Sequence, residues 1–268
     1  MQPELDIGPI TLQTFGIMFA LGFVAAGALV ARRLGELGKP PDWAYELIFA
    51  GLVGGIVGAR LDFVIENWSE VSDDLLGNLF SGSGLVWYGG AIGGAIGVCI
   101  WARFRGMLNL GLLDLTAPGL AIGYAVGRIG CQLSGDGDYG IAWDGPWAMA
   151  YPDGTVPTEV EVHPTPVYEA LAMGLVAYIL WRRRDSYRPG LLFALYLVLA
   201  GLERLLIEFI RRNDEILVGL TQPQLLSVAM ILAGAAWIAI KARRGELFAA
   251  EAARPSAASR RRAGSPPR

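Results

Sequence analysis

Arg128 stands at the end of an apolar run that begins at Leu115. The segment Gly127-Arg128-Ile129-Gly130-Cys131-Gln132-Leu133-Ser134-Gly135-Asp136 then carries the chain into an acidic, glycine-rich loop. A guanidinium at bilayer depth costs roughly 3 kcal/mol by insertion scales, so it persists only where it faces protein, water or an anion. Other ionisable residues lie in similar settings. Arg60, Asp62 and Glu66 close one apolar run, His163 and Glu169 open another, and Glu203, Arg204 and Glu208 lie in a third that continues into Arg211 and Arg212. Arg204 and Glu208 are four apart, share a helix face and can pair. Charges at this depth seldom face lipid, so together they point to a polar cavity for a negatively charged group. The glycines beside Arg128 would let that group approach the backbone. Cys131, one turn after Arg128, could be activated by that cation as a nucleophile. A small apolar packing residue is the plainer reading of it.

The frame that must position these residues is membranous. Of 268 residues, 53% are hydrophobic and 18% charged, and the mean hydropathy is +0.43. A soluble chain of this length needs far more polar surface. Apolar stretches near the roughly 20 residues that a bilayer requires occur seven times, over 11–34, 43–65, 85–104, 113–133, 164–181, 191–210 and 224–240. Arg32, Arg33 and Lys39 follow the first stretch, and Arg103 and Arg105 the third. Arg182, Arg183, Arg184 and Arg188 follow the fifth, and Lys241, Arg243 and Arg244 the seventh. The opposite loops carry Glu70, Asp73 and Asp74, then Asp136, Asp138, Asp144, Asp153, Glu159 and Glu161. Because charge is sorted by side, the net charge of −3 says little and the positive-inside rule says much.

The expected fold is an all-α integral membrane protein of seven transmembrane helices. Its N-terminus lies outside, its C-terminus is cytoplasmic, and a small extracytoplasmic head sits between spans four and five. Residues 1–246 form the membrane domain, with 134–162 as the head, where Trp143 and Trp147 suit the interface. Residues 247–268, rich in Pro, Ser, Ala and Arg, are expected to be a disordered basic tail. The start Met1–Asp6 is acidic where a signal peptide would be basic. Gly51-x-x-x-Gly55 and Gly90-x-x-x-Gly94 fit close helix contact. Asp114 precedes Arg128 by fourteen residues, roughly 21 Å along a helix, so a structural role is expected for it. Cys99 and Cys131 read as reduced, packed thiols. No metal, cofactor or nucleic-acid partner is expected.

The pattern resembles the prolipoprotein diacylglyceryl transferase family of bacterial plasma membranes. Thr14-Phe15-Gly16-Ile17-Met18 resembles that family's first-helix motif, Gly58-Ala59-Arg60 its second-helix motif, and Tyr88-Gly89-Gly90-Ala91-Ile92-Gly93-Gly94 its double-glycine motif. Gly127-Arg128-Ile129-Gly130 is similar to the core of its signature, and His163-Pro164-Thr165-Pro166-Val167-Tyr168-Glu169 to its His-Pro-x-x-x-Tyr-Glu stretch. Arg204 with Glu208 and Phe209, and Gln224, match its sixth and seventh helices. The resemblance implies transfer of the diacylglyceryl group of phosphatidylglycerol to the lipobox cysteine thiol of exported prolipoproteins, with glycerol phosphate leaving. The implied partners are phosphatidylglycerol, those prolipoprotein signal peptides and membrane lipids, in a multi-pass protein of the bacterial plasma membrane.

Under that resemblance Arg204, His163, Tyr88, Asp136 and Glu208 are the expected catalytic residues. Arg128, Arg60, Gly89, Gly90, Ser134, Tyr168 and Glu169 are expected to bind substrate. Arg128 would hold the lipid headgroup and Arg204 the developing phosphate charge, since arginine binds phosphate through a planar fork and stays charged. The chain departs from the family in places. Cys131, Ser134, Gly135 and Asp136 stand where the signature has asparagine and then Asn-Gly-Glu, Tyr88 stands where a histidine is usual, and Phe15 replaces a tyrosine. Two other readings therefore stay open: a paralogue that transfers a lipid group to another acceptor, and a non-catalytic lipid-binding membrane protein.

Overall fold

A computed structural model describes residues 1–71, 86–217 and 219–249. Asp73, Asp74, the start of the expected third span at Leu85 and the tail from 250 onward lie outside the described residues. Among the described residues, seven long helices form the frame: α1 (Thr14–Glu36), α2 (Trp43–Glu66), α3 (Trp87–Arg105), α4 (Leu110–Ser134), α5 (Thr165–Arg183), α6 (Leu191–Glu208) and α7 (Gln222–Arg243). Their ends follow ordinary capping chemistry. The Asn109 side chain accepts the Gly111 N–H and starts α4, which stops at Gly135 in the left-handed region (φ 60°). A capping box between Thr221 and Gln224 starts α7.

Alternation of the helices produces two distinct ends. At one, Arg33 pairs with Asp185 at 2.7 Å and Arg184 with Glu36 at 2.8 Å, joining the last turns of α1 and α5. Glu46, in the first turn of α2, accepts from Trp101 of α3 at 2.9 Å and pairs with Arg105. A core of Val30, Leu34, Ala44, Leu47, Trp101, Ala102, Leu112 and Leu115 fills this end. Asp114 has the structural role expected of it: its carboxylate accepts the N–H groups of Gly190 (2.7 Å) and Phe193 (2.9 Å) and caps α6.

Three small antiparallel hairpins gather at the opposite end. They are β1 (Glu4–Ile7) with β2 (Ile10–Gln13), β3 (Met149–Tyr151) with β4 (Thr158–Val162), and β5 (Glu215–Leu217) with β6 (Leu220–Thr221). The Gln2 N–H bonds to the Leu133 carbonyl at the end of α4, and the Ile141 N–H to the Ile210 carbonyl after α6. The described chain is mostly helical, as expected, with these hairpins as short additions. Segments of two to five residues leave little period-2 signal, and most of β2 falls within the apolar run that starts at 11. Near the last described residues, Phe248 bridges to Tyr187 and stacks on its ring at 5.9 Å.

The outside of the bundle is apolar. Phe19, Val24, Phe49, Ile56, Ile92, Leu171, Leu175 and Leu232 are all exposed, which suits contact with lipid rather than water. Four helices, α1, α2, α4 and α7, are long and apolar enough to cross a membrane by length and composition. The other three are shorter, and two of them carry the charges of the site described below.

The α2–α3 seam is closely packed through its glycines. A Cβ added at Gly93 would strike the Gly54 carbonyl and lie 2.7 Å from Gly58 Cα. Gly93→Val should therefore cost about 1–3 kcal/mol through overpacking, roughly 2–12 °C in Tm. Gly127→Ala is the control, because nothing lies within 4 Å of its added Cβ. Thermal unfolding in detergent checks the pair, and equal melting temperatures would sink this account of the seam.

Candidate active site

Arg128 lies six residues before the last residue of α4, at the end of the bundle that carries the hairpins. Its environment is built around Glu169 of α5, which has no solvent exposure. Arg128 Nε pairs with Glu169 Oε2, and the Tyr124 hydroxyl donates to the same oxygen at 3.0 Å. Arg204 Nη1 and Arg211 Nη1 each lie 3.3 Å from Glu169 Oε1. A second anion comes from the loop after α4. One carboxylate oxygen of Asp138 pairs with Arg128 and the other with Arg211, while its backbone carbonyl accepts from Arg211 at 3.1 Å. Glu208, 3% exposed, is the third anion. It lies 2.9 Å from Arg204 Nη2 and accepts from the Asn213 amide at 2.6 Å and the Thr221 hydroxyl at 2.7 Å.

Three guanidinium groups thus face three carboxylates, drawn from α4, α5, α6 and the two loops that meet them. Leaving the buried carboxylate of Glu169 or Glu208 unpaired would cost several kcal/mol, so the cluster fixes the relative positions of those five segments. It is not sealed. The side chains of Arg128 and Arg204 keep 15% and 20% of their surface exposed, so guanidinium edges stay available to an incoming anion. The Asp138 carboxyl would rise with burial, but the Arg128 charge and the Arg211 hydrogen bond outweigh that and hold it at about 2. It is therefore ionised at neutral pH. The stability it contributes is lost only as pH falls below its ordinary 3.8 toward 2.

The expected site residues divide into three groups. Arg128, Glu169, Arg204 and Glu208 are brought together, and the pairing of Arg204 with Glu208 is the one that their spacing suggests. Arg60, Tyr88, Gly89 and Gly90 belong to the α2–α3 seam. There the Asp62 carboxylate accepts the Gly89 N–H at 2.8 Å, Gly90 packs on Ala59, and the Arg60 guanidinium lies 5.0 Å from the Phe63 ring centroid. The rest lie in the head or where it joins α5. His163 stacks on Trp143 at 4.3 Å with an interplanar angle of 11°, and its Nδ1 lies 3.3 Å from the Tyr168 hydroxyl. That hydroxyl also accepts from Trp147 at 2.7 Å. Asp136 accepts the Asp138 N–H at 3.3 Å, and burial raises its carboxyl above the ordinary range.

Ser134 is 4% exposed, its hydroxyl donates to the Cys131 carbonyl, and its own carbonyl accepts from Thr155, so it joins α4 to the head. The glycines beside Arg128 also differ from each other. Gly127 is open, whereas a Cβ at Gly130 would lie 2.9 Å from Met18 of α1. Gly130 serves helix packing, and only Gly127 leaves room for approach. Cys131 is buried, with Sγ 3.8 Å from Arg128. Its sulfur and the carboxylates of Asp136 and Asp138 lie within 4.8 Å of one another. Asp138 in this group already pairs with two guanidinium groups.

Asp138 and Arg211 complete the cluster without having been among the expected site residues. Arg211 had a readable signal, because it follows the charges of Glu203, Arg204 and Glu208 at the end of the same apolar run. Asp138 had none, since only the fold of the loop returns it to Arg128.

Residues 4–240 match the family model described as prolipoprotein diacylglyceryl transferase. The phosphatidylglycerol–prolipoprotein diacylglyceryl transferase of Leptospira interrogans is 32% identical, over 84% of this chain and 87% of its own. The protein of the same name from Clostridium tetani is 32% identical over 87% and 95%, and that from Dehalococcoides mccartyi 34% over 84% and 88%. The matched region runs from β1 into α7 and contains every residue of the arginine–carboxylate cluster. The chain belongs to the prolipoprotein diacylglyceryl transferase family and is a transferase.

Proposed function

We propose that this protein transfers the diacylglyceryl group of phosphatidylglycerol to the lipobox cysteine thiol of exported prolipoproteins, at the outer face of a bacterial plasma membrane. The observation that carries this reading is the convergence of Arg128, Arg204 and Arg211 on Glu169. It supplies fixed cations, with part of their surface open, at the level of a lipid headgroup. The thiol sulfur attacks the glyceryl carbon next to the phosphate, a C–S bond forms, and the C–O bond to phosphate breaks. Glycerol phosphate departs with the electron pair, and the thiol proton is lost to a base. The diester has one negative charge and the product phosphate gains a second, so cations placed for the second charge lower the barrier.

In this reading Arg128 holds the headgroup and Arg204 meets the charge that develops. Glu169, Glu208 and Asp138 keep those guanidinium groups in place. His163 takes the thiol proton. Its carbonyl accepts the Gly140 N–H at 2.8 Å, two residues beyond Asp138, which brings it to the rim of the cluster. Arg60, Tyr88, Gly89 and Gly90 line the facing wall, while Tyr168 orients His163. All seven long helices span the bilayer, with the hairpin end outside and the end bearing Arg33, Arg105, Arg184 and Lys241 in the cytoplasm. The sorting of basic loops supports that orientation. Residues 1–246 form one membrane domain with 134–162 as its outer head.

Complementation of a strain depleted of its own diacylglyceryl transferase tests the reading. Wild type should restore growth, and Arg128→Ala and Arg204→Ala should not, at matched membrane levels. A wild type that is present yet fails to rescue would favour another acceptor or lipid.

A further inference from the structure

A second polar feature lies immediately outside the cluster. A cavity of about 330 Å³ is lined by Gly137, Tyr139, Arg211, Arg212 and Asn213, at the small end of the roughly 300–1,000 Å³ found for ligand pockets. Its lining carries two guanidinium groups and no carboxylate. The walls are held firmly. The Tyr139 ring is stacked between Tyr151 (4.8 Å between centroids) and the Arg212 guanidinium (4.4 Å), and its hydroxyl donates to the Val156 carbonyl at 2.9 Å. Gly137 is in the left-handed region (φ 91°), and a Cβ there would press on Val156 at 3.3 Å. Asn213 is fixed by its bond to Glu208. Arg211 belongs to both places, since it lines the cavity and also bonds Glu169 and Asp138.

We propose that this cavity is the exit subsite for the leaving group, a phosphate monoester of a small polyol, with Arg212 as its outer ligand. The inference rests on the transferase reading and follows from charge. The lipid headgroup is a phosphodiester with one negative charge. The released monoester carries about −1.5 to −2 at pH 7. Arg212, outside the cluster, together with Arg211 at its edge therefore attracts product more strongly than substrate. Arg211 spans the short path from the cluster to the cavity, so the phosphate can pass outward without losing all of its cationic contacts. Arg212 is exposed on the head side, where a soluble product must leave.

The test measures equilibrium binding of glycerol 1-phosphate to the full-length protein in detergent, beside its inhibition of turnover and the KM for phosphatidylglycerol. Arg212→Gln should weaken glycerol 1-phosphate binding about five- to tenfold and raise its inhibition constant in parallel. Arg212→Glu should abolish both, and KM for the lipid should shift by much less. Binding and inhibition unchanged in both variants would overturn the inference. So would a rise in lipid KM equal to the change for glycerol 1-phosphate, because that would make Arg212 a headgroup contact. A wild type without turnover would count against the transferase reading, while the binding arm would still decide whether the cavity takes a phosphate monoester.

Discussion

Arg204→Ala is expected to lower kcat for diacylglyceryl transfer by on the order of 10³-fold, the scale seen when one preorganised donor to a developing charge is removed. Arg128→Ala is expected to act chiefly on KM, because its partner is the charge already present in the headgroup. The two guanidinium groups differ in their anchors as well as in their proposed targets. Arg204 is tied to Glu169 and Glu208, the latter one helical turn along α6, whereas Arg128 is tied to Glu169 and Asp138. Arg204→Lys separates charge from geometry: it keeps the cation and loses the fork, so its kcat should fall between wild type and alanine. Steady-state kinetics with a lipobox peptide check this. Equal effects of both alanine variants on KM, with kcat intact, would remove the assigned division of labour.

Glu169→Gln should produce the largest loss of stability in the site. Glu169 is the buried carboxylate on which Arg128, Arg204 and Arg211 converge. A neutral amide of the same size leaves those charges without their common counter-ion. Breaking a buried ion pair from one side costs about 3–5 kcal/mol, roughly 6–20 °C in Tm for a chain of this size. Activity should fall with it, because the guanidinium groups lose the element that aims them. Thermal unfolding of the purified variant, compared with Glu66→Gln at the exposed end of α2, separates this from a general effect of charge removal. A Glu169→Gln protein that melts with wild type would show that the cluster is held elsewhere.

Much of this architecture can be read from the residues, and the rest fails for definite reasons. The apolar runs locate all seven long helices, since hydropathy over about twenty residues is a strong signal. Ends are less legible. The first helix starts at Thr14 rather than 11 because Ile10–Gln13 pairs with Glu4–Ile7 as a strand, and an apolar strand residue looks like an apolar helix residue. Within the site, Arg204 and Glu208 are legible from their spacing, and Glu169 from its place in an apolar span. The role of Glu169 as the hub is not, because three of its partners come from other elements. Asp138 stayed hidden among the acids of the head, which share its composition but not its position. The bonds that Ser134 makes to Cys131 and Thr155 were equally hidden, because the second of them depends on the fold of the head.

The most direct test of the central claim is reconstitution of the purified protein in vesicles containing phosphatidylglycerol, with a lipobox peptide and mass spectrometry of the product. The account predicts a peptide carrying one diacylglyceryl group in thioether linkage to the cysteine, glycerol phosphate released in equal amount, and no product from a cysteine-to-serine peptide or from Arg204→Ala. An intact, folded wild type that leaves both peptide and lipid unchanged would contradict it.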